Sequence, residues 1–163
     1  MEKKVLFLCS QNAARSQMAE AILNIKGKGR FIAYSAGLNP ASKIDSFAIE
    51  AMKRDDIDIS CKKPKAFMEF GNVNFDFIIT LCDKAINECP NCSIDTVTVH
   101  WGITDPINFK GTDEEKLESY IKIKKDIMTR INVFLSIPIG KLNKLSLETN
   151  MQELENLLNL SLI

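Results

Sequence analysis

The sequence predicts a single α/β domain of three layers, in which a four-stranded parallel sheet is flanked by helices, followed by a C-terminal helical extension. Short apolar runs alternate with amphipathic stretches of helix formers, which is the pattern of crossovers in a parallel sheet. The composition, with 45% hydrophobic and 26% charged residues in 163, is that of one folded domain. We assign residues 1–137 to the domain and 138–163 to the extension, packed on the same domain.

Four short runs rich in apolar and β-branched residues are predicted as the strands. They cover residues 4–8, 31–36, 75–81 and 96–100. The first run is almost uninterrupted in its hydrophobicity, which suits a strand buried on both faces of the sheet. Because parallel strands end at a common edge, functional side chains are expected after their carboxyl ends.

Three stretches carry apolar residues at helical spacing and are predicted as helices. Two cover residues 16–25 and 45–54, and the third begins at a capping box of Thr112 and Glu115 and ends before Pro138. Beyond Gly140, leucines alternate with Asn, Lys and Glu, which predicts one or two further amphipathic helices.

The charge balance excludes several classes of partner. With 21 basic and 21 acidic side chains the net charge is zero, so neither nucleic acid nor a membrane is expected as a partner. The apolar run near the start is too short for a signal peptide, and no segment approaches the ~18 apolar residues of a membrane span. Five cysteines in such a chain favour a cytoplasmic protein that uses thiol chemistry or metal binding.

The loop after the first predicted strand carries the strongest chemical signal. Cys9 ends the strand, and Arg15 follows six residues later, where a helix begins. Such a loop can direct its backbone N–H groups at one point, at the positive end of the helix dipole. A thiol in that position is expected to have a pKa below its usual ~8.5, which would make it a nucleophile. Arg15 offers a planar charged fork for two oxygens of a tetrahedral oxyanion.

Two neighbours are expected to support this loop. Asn12 can brace it through its side-chain amide, and Ser16 can donate its hydroxyl to the Cys9 sulfur. The alternative interpretation makes Cys9 a small buried hydrophobic residue and Arg15 an exposed residue at a helix start.

Residues 9–20, Cys-Ser-Gln-Asn-Ala-Ala-Arg-Ser-Gln-Met-Ala-Glu, resemble the phosphate loop of the low-molecular-weight tyrosine phosphatase superfamily. Within it, the sequence is most similar to the thioredoxin-coupled arsenate reductases, with matching stretches at 35–37, 57–60, 80–82, 89–90 and 100–106. The resemblance spans residues 3 to about 136, and Cys82 and Cys89 specify the reductase branch. It implies no cofactor and an oxyanion-binding loop made of Ser10, Gln11, Asn12, Ala13, Ala14, Arg15 and Ser16.

The resemblance also implies a reaction. Cys9 attacks arsenate to form a covalent thiol adduct, Cys82 then attacks the Cys9 sulfur and expels arsenite, and Cys89 attacks Cys82. Thioredoxin reduces the resulting Cys82–Cys89 disulfide. Since each sulfur must reach the next, the segment from Cys82 to Cys92 is expected to be a mobile loop. Asp105 is the implied general acid that protonates the leaving oxygen.

Three features leave alternatives open at the site. Cys92 forms a CxxC with Cys89 and is a second candidate for the resolving thiol. Cys82, Cys89, Cys92 and His100 also have ligand-like spacing for structural zinc, although one CxxC argues against it and we expect no metal. If Gln11 requires a positive φ, its side chain adds ~1 kcal/mol of strain. Cys61 is expected to be structural or idle, and His100 and Trp101 to be packing residues.

Two other functions use the same residues. A phosphatase of this fold would form a Cys9 phosphoenzyme and would need Arg15 and Asp105 but not Cys82. A protein that binds oxyanions or senses oxidants without turnover would use the loop alone. The favoured hypothesis is arsenate reduction, with arsenate or a phosphate-like oxyanion as ligand and thioredoxin as reductant.

Overall fold

The strands of the computed structural model, which describes residues 1–89 and 93–161, are β1 (Lys3–Cys9), β2 (Phe31–Gly37), β3 (Phe77–Thr80) and β4 (Val97–His100). They pair in parallel in the order β2-β1-β3-β4. The predicted four-stranded parallel sheet is confirmed. The order places the two central strands, β1 and β3, side by side, so the segments that follow them meet at one edge.

Five α-helices accompany the sheet among the described residues: α1 (Arg15–Lys26), α2 (Ser46–Lys53), α3 (Asp83–Glu88), α4 (Asp113–Ser136) and α5 (Lys144–Ser161). α1, α2 and α4 lie where the apolar spacing predicts them, and α5 is a single helix in the predicted extension. α3 corrects the expectation of a mobile loop from Cys82 to Cys92 for residues 83–88, and residues 90–92 of that segment lie outside the described residues. The negative charge of Asp83 in the first turn is stabilised by the helix dipole, and the helix packs on the domain through Ala85, which is fully buried.

The two faces of the sheet are covered unequally. On one face Val5 and Phe7 of β1 join the large core, to which α1, α2, α4 and α5 contribute. On the other face Leu6 and Leu8 form a smaller cluster, covered by α3 and by the 3₁₀ turn at Phe67–Phe70. β1 is therefore buried on both sides, as its uninterrupted hydrophobicity predicts.

The helix ends follow local signals in the sequence. Thr112 and Glu115 form the predicted capping box of α4: the N–H of Glu115 donates to Thr112 Oγ1 at 3.2 Å, and the N–H of Thr112 donates to Glu115 Oε2 at 2.8 Å. The Asp45 carboxylate caps α2. Asp56, in the turn after α2, has a φ of 58°, a left-handed conformation that Asp tolerates better than most residues.

α5 packs on the same core as the rest of the chain. Leu147 and Met151 on its inner face are buried in the large cluster, and the helix lies against α4 and along β4. No helix in 1–89 or 93–161 combines the length and the apolar character needed to cross a membrane.

Candidate active site

The loop between β1 and α1 is fixed through its carbonyl groups. The carbonyl oxygens of Cys9, Ser10, Gln11 and Ala13 accept hydrogen bonds from the N–H groups of residues 38, 39, 41 and 45, at 2.8 to 3.1 Å. With these carbonyls held outward, the loop amides are available to the pocket that the loop encloses. Among the residues that the structure describes, no side chain caps the start of α1, so the N–H groups of its first turn are also open to an anion.

Asn12 braces the loop from inside, as predicted. Its side-chain oxygen accepts hydrogen bonds from the N–H of Lys65 and from Gln17 Nε2, both at 2.8 Å, and its amide donates to Ser16 Oγ at 2.8 Å. Asn12 also carries the left-handed backbone of the loop, with a φ of 52°. Gln11 does not have a positive φ, so its backbone does not carry the strain considered for that position.

Gly37, at the end of β2, allows the loop to lie against the sheet. A Cβ at this position would approach the Ser10 carbonyl oxygen and the Asn12 nitrogen to 2.9 Å, which is shorter than any real contact of a Cβ. The glycine is therefore required for close approach rather than for an unusual φ.

Cys9 points its sulfur into the loop and is 3% exposed. Its Sγ lies 2.9 Å from Ser16 Oγ and accepts a hydrogen bond from the Asn12 N–H at 3.2 Å. Because Ser16 Oγ already accepts the Asn12 amide, its own hydrogen is available for the sulfur, in agreement with the predicted donation.

The pKa of the Cys9 thiol is raised, which contradicts the predicted depression. Burial raises this pKa, and the hydrogen bonds from Ser16 and the Asn12 amide and the charge of Arg15 only partly offset that effect. The nearby Cys82 raises it further. The physical reason for the correction is burial, because Cys9 is only 3% exposed and its charged form loses the solvation of water.

The Arg15 guanidinium is directed at three oxygens across the pocket. Its Nη2 donates to Asp105 Oδ2 at 2.6 Å, and its Nη1 donates to the carbonyl oxygens of Ile103 at 2.8 Å and Leu81 at 3.3 Å. Arg15 is buried, whereas the Asp105 side chain is 35% exposed. The structure thus brings together Arg15 and Asp105, which are 90 residues apart in the chain.

Cys82 lies beside the loop between β1 and α1. β3 is hydrogen-bonded to β1, and Cys82 follows it at the same edge of the sheet as Cys9. The Cys82 sulfur is 3.3 Å from the hydroxyl of Ser10, a member of the loop. A cleft of about 300 Å³ is lined by Cys82, Arg15 and Asp105.

Cys89 is at the opposite end of α3 from Cys82. Cys82 is the N-cap of this helix and Cys89 is its C-cap, and both pack against the smaller core cluster. The alternative resolving residue, Cys92, lies outside the described residues.

Two residues of the pocket were not identified from the sequence. Tyr120 on α4 and Asp45 before α2 line the same small space, about 20 Å³, as Cys9, Arg15 and Asp105. The Tyr120 hydroxyl donates to Asp45 Oδ2 at 2.9 Å, and burial and the nearby carboxylates raise the pKa of this phenol. In the sequence Tyr120 falls on the apolar face predicted for a long helix, so nothing in the sequence distinguishes it as a residue of the pocket.

A buried acid supports the loop from behind. Glu20 on α1 is 7% exposed. One carboxylate oxygen pairs with Lys62 Nζ at 2.6 Å, and the other accepts the Ser35 hydroxyl and lies 3.4 Å from Lys65 Nζ. The N–H of Lys65 in turn donates to Asn12, so this network is joined directly to the loop.

The remaining candidates have other environments. Cys61 is exposed. His100 Nδ1 is 2.9 Å from Thr80 Oγ1, and Trp101 is buried against Phe7 with ring centroids 5.7 Å apart. In the part of the chain that the structure describes, no three His, Cys, Asp or Glu side chains are grouped to hold a metal ion. The zinc alternative depended partly on Cys92, so it stays untested.

Comparison with known proteins agrees with this geometry. The sequence model of the family described as low molecular weight phosphotyrosine protein phosphatase matches residues 4–143. An arsenate reductase from Halalkalibacterium halodurans is 37% identical over 135 residues, covering 82% of this chain and 96% of that protein.

Two solved structures extend the comparison. One described as an arsenate reductase in the phosphate binding state has a TM-score of 0.70 and 28% identity, covering 82% of this chain and 97% of that chain. A low-molecular-weight protein tyrosine phosphatase from T. tengcongensis has a TM-score of 0.67 and 26% identity, covering 86% of this chain and 100% of that chain.

The family match contains the complete β1–α1 loop together with Cys82, Cys89 and Asp105, whereas α5 lies beyond it. Sequence, fold and the arrangement of the loop lead to one assignment: the chain belongs to the low-molecular-weight phosphotyrosine protein phosphatase family.

Proposed function

We propose that this protein reduces arsenate to arsenite through three cysteines and is recycled by thioredoxin. The observation that carries the proposal is the position of Cys82, whose sulfur lies 3.3 Å from the hydroxyl of the loop residue Ser10. Hydrolysis of a phosphate ester needs no second thiol at this place. The relatives named arsenate reductase, such as the protein from H. halodurans, support the same activity.

In the first step the Cys9 sulfur attacks arsenic and the loop amides hold the oxyanion. Arg15 exchanges its contact with Asp105 for the substrate oxygens, which it can bind with two parallel hydrogen bonds. An S–As bond forms and an As–O bond breaks. The proton of the Cys9 thiol, which the raised pKa retains at neutral pH, passes through Asp105 to the departing oxygen and leaves as water.

In the second step the Cys82 thiol gives up its proton and its sulfur attacks the Cys9 sulfur. An S–S bond forms, the S–As bond breaks, and its electron pair stays on arsenic, which is reduced from As(V) to As(III). Protons from the Cys82 thiol and from solvent complete arsenite. The proximity of Cys82 to the loop supports this transfer, because the two sulfurs follow adjacent strands at one edge of the sheet.

The third step requires α3 to change. Cys89 attacks Cys82, releasing the Cys9 thiol, and a thioredoxin dithiol then reduces the Cys82–Cys89 disulfide. The two residues cap opposite ends of α3, which at 1.5 Å per residue separates their Cα atoms by about 10 Å. A disulfide needs Cα atoms within about 7 Å. The helix must therefore unwind during turnover, which agrees with its short length. No side chain in the described part of the chain caps its start.

Disulfide mapping after one turnover tests the proposal. Protein reduced and freed of reductant is given one equivalent of arsenate, quenched with an alkylating reagent and digested. We expect a Cys82–Cys89 disulfide in the unmodified chain and a Cys9–Cys82 disulfide in Cys89→Ser. Cys61→Ser, which changes an exposed cysteine, is the matched control and should behave like the unmodified chain. A disulfide that lacks Cys82 would rule out the mechanism.

The Cys89→Ser result also decides the role of Cys92. If Cys92 resolves the intermediate instead, Cys89→Ser will form a disulfide between Cys82 and Cys92. The Cys9–Cys82 disulfide would then accumulate in Cys92→Ser.

Phosphatase activity is the second candidate, because Cys9, Arg15 and Asp105 line one pocket and the family model is that of a phosphatase. Cys82→Ser separates the two activities. It should abolish arsenate reduction and leave hydrolysis of an aryl phosphate largely intact. Steady production of arsenite with thioredoxin and its reductase would eliminate a sensor without turnover, whereas oxidation that never recycles would support one.

A further inference from the structure

A buried ion cluster joins the C-terminal helix α5 to the loop that carries Asp105. Glu155 on α5 and Arg130 on α4 are 3% and 2% exposed. Glu155 Oε2 pairs with Arg130 Nη1, and Glu155 Oε1 accepts a hydrogen bond from the Gly102 N–H at 3.2 Å. A single carboxylate thus connects α4, α5 and the start of the Asp105 loop.

The cluster holds Glu155 in a defined position. Arg130 Nε donates to Asp126 Oδ1 at 2.8 Å, and Arg130 Nη2 donates to Asn159 Oδ1 at 2.9 Å. Asn159 Nδ2 also lies 3.3 Å from Glu155 Oε1. Because each charged group has several partners, the carboxylate that faces Gly102 has little freedom to move.

The segment 102–105 is fixed at both ends. At one end the Trp101 N–H donates to the Thr80 carbonyl at 2.8 Å, which directs the next amide, that of Gly102, away from the sheet and toward Glu155. At the other end Arg15 holds the Ile103 carbonyl and the Asp105 carboxylate. If an oxyanion replaces Asp105 as the partner of Arg15, the hydrogen bond from the Gly102 N–H to Glu155 can still hold the segment.

We infer that Glu155 is a positioning residue that keeps the Asp105 loop in place for the acid step. The inference rests on the proposed role of Asp105. α5 lies beyond residues 4–143, to which the family model extends, so this support comes from the extension of this chain rather than from the part shared with its relatives.

Glu148 provides a matched control on the same helix. Its carboxylate accepts the N–H of Thr98 at 3.3 Å, in the way that Glu155 accepts the N–H of Gly102. Thr98 lies inside β4 rather than in the Asp105 loop. Glu148 therefore covers the strand edge without contacting the loop.

Glu155→Asp, Glu148→Asp and Arg130→Lys form the test. Glu155→Asp keeps the charge beside Arg130 but withdraws the carboxylate from Gly102. Its kcat for arsenate should fall by about tenfold or more, with little change in KM, because small misplacements of a catalytic group are sufficient for such a loss. Glu148→Asp should stay within about twofold of the unmodified protein.

Arg130→Lys separates positioning from stability. It removes the contacts of Arg130 with Asp126 and Asn159 and should lower the Tm. Glu155 keeps a cationic partner, the Gly102 N–H and the Asn159 amide, so kcat should fall less than in Glu155→Asp. If kcat follows Tm across Arg130→Lys and Glu155→Asp, or if Glu155→Asp keeps full kcat, Glu155 has only a structural role and the inference is wrong.

The only tryptophan of the chain gives a readout that does not need activity. Trp101 precedes Gly102 and is 4% exposed. Acrylamide should quench its fluorescence more strongly in Glu155→Asp than in Glu148→Asp, and exchange of the amides in 102–105 should be faster. If Glu155→Asp shows these changes but the unmodified protein does not reduce arsenate, the proposed function is refuted and the role of Glu155 in holding the loop is not. If both variants are quenched equally, the role of Glu155 is refuted.

Discussion

Arg15 and Asp105 form an ion pair of 2.6 Å at the pocket that the β1–α1 loop encloses. The guanidinium is buried while the carboxylate is partly exposed, so the pair lies between the interior of the pocket and the solvent. Since Arg15 is also the residue that would bind an oxyanion, a bound oxyanion and Asp105 compete for one guanidinium.

Asp105→Asn tests this competition. The change removes the negative charge that holds Arg15 and that would face an incoming anion, so phosphate should bind more tightly. Arsenate turnover should fall by about 10²- to 10⁴-fold, because the amide cannot deliver a proton. Phosphate affinity is measured by calorimetry and turnover by arsenite production. Asp113→Asn, at the exposed start of α4, is the control; weaker phosphate binding in Asp105→Asn would contradict the competition.

The raised pKa of Cys9 predicts a distinct pH dependence of alkylation. A buried thiol whose pKa is raised is mostly protonated at neutral pH, so the rate with iodoacetamide should keep increasing above the pH range in which an ordinary thiol titrates. Phosphate should protect Cys9 against the reagent. Rates are obtained by mass spectrometry of the peptide that contains Cys9.

Ser16→Ala should shift that alkylation profile to still higher pH, because the Ser16 hydroxyl lowers the pKa of Cys9. Ser10→Ala is the matched control, since this hydroxyl contacts the Cys82 sulfur instead. A profile for Ser16→Ala that moves to lower pH, or one that Ser10→Ala moves equally, would show that the hydrogen bond to Ser16 does not stabilise the thiolate.

Two substitutions of Asn12 separate the effect of backbone strain on stability from the effect of the side-chain hydrogen bonds. Asn12→Ala and Asn12→Gly both remove the bonds to Ser16, Gln17 and Lys65, and each should lower the free energy of unfolding by about 1–3 kcal/mol or more. Glycine accepts the φ of 52° without strain, so Asn12→Gly should be more stable than Asn12→Ala by about 1 kcal/mol. Urea denaturation measures both values, and a reversed order would contradict the strained loop.

Glu20→Ala should lower the free energy of unfolding, although alanine is a good helix former and Glu20 lies within α1. It leaves Lys62 and Lys65 without their carboxylate in a partly buried network, with an expected loss of about 1–3 kcal/mol in the free energy of unfolding. Lys3→Ala, which breaks the more exposed pair with Asp76, should change stability by less than about 1 kcal/mol. Equal losses in the two variants would show that burial adds nothing to the Glu20 network.

The predictable part of this protein is local in sequence. The four strands, the capping box of α4 and the loop from Cys9 to Arg15 could be located because each depends on neighbouring residues: an apolar run, a Thr with a Glu three residues later, a cysteine directly after a strand. The supports that Asn12 and Ser16 give to the loop were also predicted, since both lie within it.

The features that were missed depend on distant partners. The direction of the Cys9 pKa shift could not be predicted because it reflects how deeply the thiol is buried and how close Cys82 lies, and both depend on tertiary packing. Glu155 has the appearance of an ordinary solvent-facing acid on an amphipathic helix, and only packing against α4 reveals it as buried. α3 was expected as a loop because the thiol chemistry, rather than helix propensity, guided the prediction.

The outward-held carbonyls of the β1–α1 loop bear on selectivity. Four hydrogen bonds to residues 38–45 set the shape of the loop through the fold itself. If the loop binds a tetrahedral anion as proposed, it recognises the size and charge of that anion. Phosphate and arsenate share both properties and should occupy it with similar affinity. Under the proposed function, discrimination then comes after binding, from whether the central atom accepts two electrons when the second sulfur attacks. Abundant phosphate would act as a competitive inhibitor, and throughput in the cell would follow the ratio of the two anions.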